Sequence, residues 1–380
     1  MLSRILGMKR FPRSLLLSVI LTALQFPGAQ AYAPLGHEIV GAIADERLAN
    51  KATATKIRAL LDGLSLEKAS VIADEIKGWD KKGADDPRSF HYSAHRNIDR
   101  QLRDFWRANP PPRSGANPGA PSHHWFHYTD VPVVPAQRYR DGHAGRSKWD
   151  IVHMIPFCVQ ILQGRVPEQN ERRITKAVAL ILLAHYVADI HQPLHVGAEY
   201  FDQQGRVADP DKDKSALRDE GGNTFTLELS DEPPRRRGIH KKKLHGFWDY
   251  DAVNALFLQE PGTLRKGDMQ TLIEPHKKEL IRELATQEPN NWRMPPNVPV
   301  DSYAEIWADE ILPIAREAYA RLQFIDVHPQ QEEDRILAAG EAVEKPAANH
   351  GVYHVWATNV VRDELHKAGW RLADLLEKIL

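Results

Sequence analysis

A single stretch, Ala184-His-Tyr-Val-Ala-Asp-Ile-His-Gln-Pro-Leu-His195, constrains this chain more than any other. His185 and Asp189 stand four residues apart at the end of an apolar run, Ala177–Leu183, and His195 follows just past a proline. A spacing of four puts two side chains on one face of a helix. The segment 174–190 is apolar nearly all round, which predicts a central buried helix ending near Pro193. An imidazole and a carboxylate buried together need compensation, either from a mutual hydrogen bond or from a metal ion.

Other segments tip that balance towards metal. A second pair with the same spacing occurs at His245-Gly-Phe-Trp-Asp249, and His37 lies near the start of the chain. Asp74 follows Ile72-Ala73, and His127 heads the run His127-Tyr-Thr-Asp130. Each is weak evidence alone; together they form a set of nitrogen and oxygen donors without a cysteine cluster. That is the ligand chemistry of catalytic zinc. The lone cysteine, Cys158, sits among Ile155, Phe157 and Val159 and reads as a core residue.

The first residues read as an export signal. Arg4, Lys9, Arg10 and Arg13 precede the apolar core Leu15–Leu24, and Ala29-Gln-Ala31 supplies a cleavage site. Cleavage after Ala31 leaves residues 32–380, starting at Tyr32, and removing four basic residues moves the formal net charge from −1 to −5. No later segment offers eighteen apolar residues in a row, so the mature chain has no expected membrane span. An exported chain with one cysteine and no glycosylation acceptor fits the bacterial periplasm. With an acidic mature chain, attraction for phosphate must come from a local positive source.

The pattern predicts an all-α, mainly helical single domain with at most a small β-hairpin. Apolar stripes mark Ile39–Leu48 and Val360–Leu380, and Asp301-Ser302 with Glu305 looks like a capped helix start. Thr224–Leu229, after Gly221-Gly222, is the best strand and is expected in a small hairpin. Surface insertions are expected near 83–122, 201–219 and 324–348.

The combination of Gly36-His37, Ala73-Asp74, His127-Tyr-Thr-Asp130, Asp189-Ile-His-Gln-Pro-Leu-His195, Gly221-Gly-Asn223 and Leu244-His-Gly-Phe-Trp-Asp249 resembles the S1/P1 nuclease family. The ending Lys367-Ala-Gly-Trp-Arg-Leu-Ala373 is similar to that family's C-terminus, and the likeness spans the mature chain apart from the insertions. The resemblance implies the fold shared with zinc phospholipase C and three bound Zn²⁺ ions. It implies one ion on Asp74, His127, His185 and Asp189, and a second on His195, His245 and Asp249. The third would sit on the backbone amine and carbonyl of Tyr32 with His37 and the shared Asp189. Asp130 would orient or deprotonate the attacking water or contact the base, Tyr128 would stack on a nucleobase, and Lys77 would take the place of a transition-state arginine.

The activity implied is hydrolysis of single-stranded DNA and RNA, and of nucleotides, to 5′-phosphorylated products, with removal of 3′-phosphates from nucleotides as a second reaction. A monomer is expected. The alternatives are a zinc phospholipase C-like phosphodiesterase and a periplasmic zinc-binding protein without catalysis. His191 faces away from the His185/Asp189 side and reads as structural. His91 competes with His127 for the first zinc, and the Asp130 offset favours His127. The Arg235–Arg237 and Lys241–Lys243 runs read as solvated loop. Tyr32 replaces the Trp with which the family usually begins its mature chain, and Ile72 replaces the Trp usual before Ala-Asp.

Overall fold

The computed structural model describes residues 34–112, 121–230, 242–258, 269–332, 335–346 and 351–380. The expected signal segment, Tyr32 and the Arg235–Arg237 run therefore lie outside the described residues, as does Lys241.

Seven helices of twelve residues or more build the core among the described residues: α1 (Pro34–Leu48), α2 (Arg96–Ala108), α3 (Ile151–Leu162), α4 (Lys176–Asp189), α5 (Glu274–Thr286), α6 (Tyr303–Ala320) and α7 (Tyr353–Ile379). None of the described helices is long and apolar enough to cross a membrane. Helix α4 is the predicted central helix. Every residue from Ala177 to Asp189 is buried, because α1, α3 and α7 pack around it. Thr175 caps its start, accepting from the Val178 amide at 3.3 Å. Burying each Leu or Ile of this helix is worth about 1.5–3 kcal/mol, so α4 anchors whatever its last turn carries. Cys158 is fully buried on α3, facing no solvent.

Helix α6 starts where expected, but not by the expected cap. The Asp301 carboxylate takes the Arg165 guanidinium and the Gln160 amide instead, and Ser302 makes no capping bond. The insertion near 83–122 is not all loop: α2 lies inside it, with Leu102 and Phe105 buried.

Strands differ most from expectation. The predicted strand forms as β1 (Phe225–Glu228), with one antiparallel bridge, Thr226 to Lys243, as its hairpin pairing among the described residues. It pairs in parallel with β3 (Arg335–Glu344), Phe225 opposite Gly340, and β3 pairs antiparallel with β2 (Leu322–Glu332). The segment read as a surface insertion near 324–348 is thus a long hairpin carrying the edge of a three-stranded sheet. Phe225 of β1 and Phe324 of β2 pack with Phe201, the rings lying 5.1–5.3 Å apart. The 201–219 segment contributes a short antiparallel pair, Tyr200–Phe201 with Leu217–Arg218.

Candidate metal centre

The last turn of α4 places His185 and Asp189 on one face, Nε2 to Oδ2 at 3.1 Å, both fully buried. The chain then turns at Gln192-Pro193, and the Gln192 side chain accepts from the Leu194 amide at 2.5 Å to fix the turn that carries His195. Helix α1 delivers His37 from its first turn, its ring stacked on His185 at 3.8 Å and its Nε2 3.3 Å from Asp189 Oδ1. The short helix Ile72–Glu75 brings Asp74 Oδ1 to 3.7 Å from His185 Nε2. A tight turn over His123–His127 brings His127 Nδ1 to 3.0 Å from both His185 Nε2 and Asp189 Oδ2.

The fourth wall comes from Leu244–Gly246, which widens into an i to i+5 turn over Phe247–Asp251. Such widened turns re-aim side chains and recur at functional sites. Here the turn sets His245 Nε2 3.2 Å from Asp249 Oδ2, with the His195 ring centroid 5.0 Å from that of His245. Gln192 reaches across to donate to Asp249 Oδ1 at 2.9 Å.

Five imidazoles and three aspartates therefore converge from six segments around Asp189. Three subsets each bring their ligand atoms within 4.8 Å of one another: His37, Asp74 and His185; His127, His185 and Asp189; His195, His245 and Asp249. These are the eight described members of the nine-residue ligand set named from the sequence; the ninth, Tyr32, lies outside the described residues. His91 is not brought to the cluster: it lies against Arg103 and Asp99 on α2.

Backbone carbonyls fix which ring nitrogen looks inward. His185 Nδ1 donates to Ser70 O at 2.6 Å, His195 Nδ1 to His127 O at 2.9 Å and His245 Nδ1 to Gly221 O at 2.8 Å. With Nδ1–H spent, each Nε2 lone pair points into the cluster, the arrangement that orients metal-ligating histidines. Buried and making no hydrogen bond among the described residues, Nε2 of His195, Nε2 of His245 and Oδ1 of Asp189 are atoms that an ion would satisfy.

The protonation states agree. Burial pushes the His195 imidazole down, and burial with neighbouring Lys77 pushes His127 well down, so both stay neutral. Burial acts to raise the Asp74 and Asp189 carboxyls, yet Lys77 and the imidazoles around Asp74, and the imidazoles around Asp189, hold both below the ordinary range. Burial would lower His245, but Asp249 beside it raises it to about 9. Against burial, Asp189 and Asp74 raise His185 as well. Neutral imidazoles and anionic carboxylates are ligands for a divalent cation of the zinc type, and a proton held by His185 or His245 is one that an ion would displace.

A model of the S1/P1 nuclease family matches residues 32–380. The chain belongs to the S1/P1 nuclease family. Among curated relatives from Arabidopsis thaliana, Endonuclease 1 is 28% identical over 144 residues, 34% of this chain and 38% of the relative. Endonuclease 2 is 24% identical over 174 residues, 43% of this chain and 49% of the relative. The chain spans less than half the length of these relatives.

Around this S1/P1 centre lie the other residues singled out from the sequence. Lys77 Nζ stands 2.6 Å from Asp74 Oδ1, one helical turn on. Tyr128 is half-buried, and Asp130 is buried with its carboxylate 3.2 Å from the Arg218 guanidinium. Burial raises the Asp130 carboxyl to about 6, against the pull of Arg218. His191 is structural: Nδ1 donates to Val187 O at 2.7 Å and Nε2 accepts from buried Arg371 at 3.0 Å.

Sequence reading missed Gln192, Ser70 and Arg218. Gln192 sat in plain view inside the His-Gln-Pro-Leu-His run. Ser70 acts through its carbonyl, which has no side-chain signature, and Arg218 lies 88 residues from its partner in a polar segment. Asp80, His123 and His124 also converge, but Trp106 and both rings already satisfy that carboxylate by hydrogen bonds at 2.6–3.3 Å.

Proposed function

We propose that this chain is an exported zinc nuclease that hydrolyses phosphodiester bonds in single-stranded DNA and RNA to 5′-phosphorylated products. Removal of 3′-phosphates from nucleotides is a second reaction of the same centre. The observation that carries this reading is the convergence of five histidines and three aspartates, inward lone pairs fixed by carbonyls, in a chain of this family.

The ligands divide as follows. Asp74, His127, His185 and Asp189 hold one Zn²⁺, and His195, His245 and Asp249 hold a second. His37 and Asp189 hold a third together with the amine and carbonyl of Tyr32, freed when the signal is cut after Ala31. Zinc bound here would supply a Lewis acid and lower the pKa of water to about 7.

The surrounding residues do the rest. Lys77 presents an ammonium to a phosphate oxygen while holding Asp74 ionised; it gives charge without the two-pronged geometry of arginine. Asp130 is ionised above about pH 6 and can accept a proton or a base N–H. Tyr128 offers a face for stacking, worth about 1–3 kcal/mol per base. Stacking needs an exposed base face, which favours unpaired strands.

The test uses the full chain, exported and purified as a monomer. Elemental analysis should give close to three zinc per chain, mass spectrometry should place Tyr32 first, and single-stranded DNA should be cut. Asp189→Asn should cut zinc content and cleavage together, by more than about a hundredfold in rate, since Asp189 lies against His37, His127, His185 and His195. Hydrolysis of phosphatidylcholine without DNA cleavage, or zinc-loaded protein that leaves both intact, would overturn the proposal.

A further inference from the structure

A cleft of about 500 Å³ opens beside Asp130, and the segments read from the sequence as insertions build most of its wall. Lys214 and Arg218 come from the 201–219 segment, Arg335 and Ile336 from the start of β3, and His143 and Tyr200 close the remaining sides. The cleft adjoins the candidate centre through the backbone: Gly145 O, on its wall, accepts the Asp130 amide at 2.9 Å, and Tyr200 OH donates to Asp130 O at 2.9 Å. Asp130 is only three residues from His127.

The wall faces the cleft with donors. His143, Lys214, Arg218 and Arg335 line it, and no carboxylate does. The acids that pair with these cations are Asp130 and Glu220 for Arg218, Glu220 for Arg335, and Asp211 for Lys214 at 3.7 Å; none of them lines the cleft. Each guanidinium carries five N–H donors, so one or two ion pairs leave several for a ligand. Ile336 adds an apolar face, 55% exposed. Cationic donors beside an exposed aliphatic surface suit an amphiphilic anion such as a nucleotide better than a bare inorganic ion, and the volume lies in the usual range for a small ligand.

We propose that this cleft is a subsite for the nucleotide adjoining the scissile phosphate, Lys214 and Arg335 taking its phosphate and Ile336 packing on its base. It rests on the nuclease reading of the metal centre and extends it: the enzyme would prefer strands to dinucleotides. One phosphate neutralised, at a salt slope of about 0.7, gives about 2.6-fold loss on a fourfold rise in salt.

The experiment compares kcat/KM for (dT)6 and for dTpdT, which has only the scissile phosphate, at about 50 and 200 mM salt. The wild type should favour (dT)6, and that ratio should fall about 2.6-fold with the added salt. In Lys214→Glu, whose side chain is 74% exposed and safe for folding, and in Arg335→Ala, the ratio should approach one and lose most of its salt dependence. A wild-type ratio near one, or variants that keep the wild-type ratio even while both rates fall, would overturn the subsite. Should the wild type cleave neither substrate, the metal-centre reading fails separately. The cleft is then read from anisotropy of fluorescein-labelled (dT)6: weakened binding in both variants supports it, and unchanged binding overturns it.

Discussion

Replacing Gly221 by alanine tests whether a backbone carbonyl, and not only a ligand side chain, holds the metal centre together. Gly221 sits at φ +61°, and a Cβ there would lie 2.2 Å from Leu194 O and 3.3 Å from His245 Nδ1. The left-handed backbone alone costs a non-glycine residue about 1–2 kcal/mol. The clash is worse, since relieving it requires a shift of about 1 Å between the turn carrying His195 and the carbonyl that orients His245, a displacement able to cost about a hundredfold in function. Loss of such an orienting bond typically weakens metal binding about 10–100-fold, or roughly 1.4–2.8 kcal/mol.

The assay is competition titration of zinc against a chromophoric chelator, with thermal unfolding alongside. Gly221→Ala should weaken zinc binding at the proposed site of His195, His245 and Asp249 by about 10–100-fold, while the proposed site of Asp74, His127, His185 and Asp189 keeps its affinity. Gly222→Ala is the control: it also pays for positive φ, at +83°, but the atoms nearest its Cβ belong to the Leu244 side chain, the first at 2.9 Å. It should lose stability without losing zinc. Equal zinc affinity in Gly221→Ala and wild type, with unfolding free energies within about 0.5 kcal/mol, would refute the carbonyl's role.

Lys77→Ala should lower kcat by about 10²–10³ on single-stranded DNA, as for loss of one donor to developing charge, and Lys77→Arg should restore most of it; an unaffected rate would remove Lys77 from the reaction. Burial, with Asp219 beside it, raises the Glu199 carboxyl to about 8, so the folded state binds that proton more tightly than the unfolded chain. Its stabilising effect is full below about pH 4.5 and is lost as pH rises through 8; Glu199→Gln should raise Tm by a few degrees at pH 8 and leave it unchanged at pH 4.5, checked by thermal melts across pH. Arg371, 2% exposed, donates to Trp292 O, Asn291 O, His191 and Glu310, so Arg371→Leu should destabilise by about 3–5 kcal/mol in denaturant titration.

What could be read from the sequence, and what could not, follows from how far each interaction reaches along the chain. His185 and Asp189 share a face because helix geometry repeats within one turn, and the apolar run Ala177–Leu183 of α4 announces the helix's burial. His195 follows from the same logic, since Pro193 stands just past the end of that helix at Asp189 and starts the turn that carries it. The sheet obeys no such local rule. One face of β3 carries Ala338, Gly340 and Ala342, small residues with little strand preference, and a Cβ at Gly340 would meet the Phe225 ring at 3.0 Å. The parallel partner β1 lies over a hundred residues earlier, so no hairpin signal could connect them. Separation along the chain likewise hid the Arg218 partner of Asp130 and the Ser70 carbonyl behind His185. Ligand side chains have chemical names in a sequence, whereas the carbonyls that aim them do not. A substitution at Gly221 is therefore more diagnostic than one at His245: deleting a ligand abolishes binding under almost any account of the site, but only this geometry makes a glycine one residue outside the cluster necessary for it.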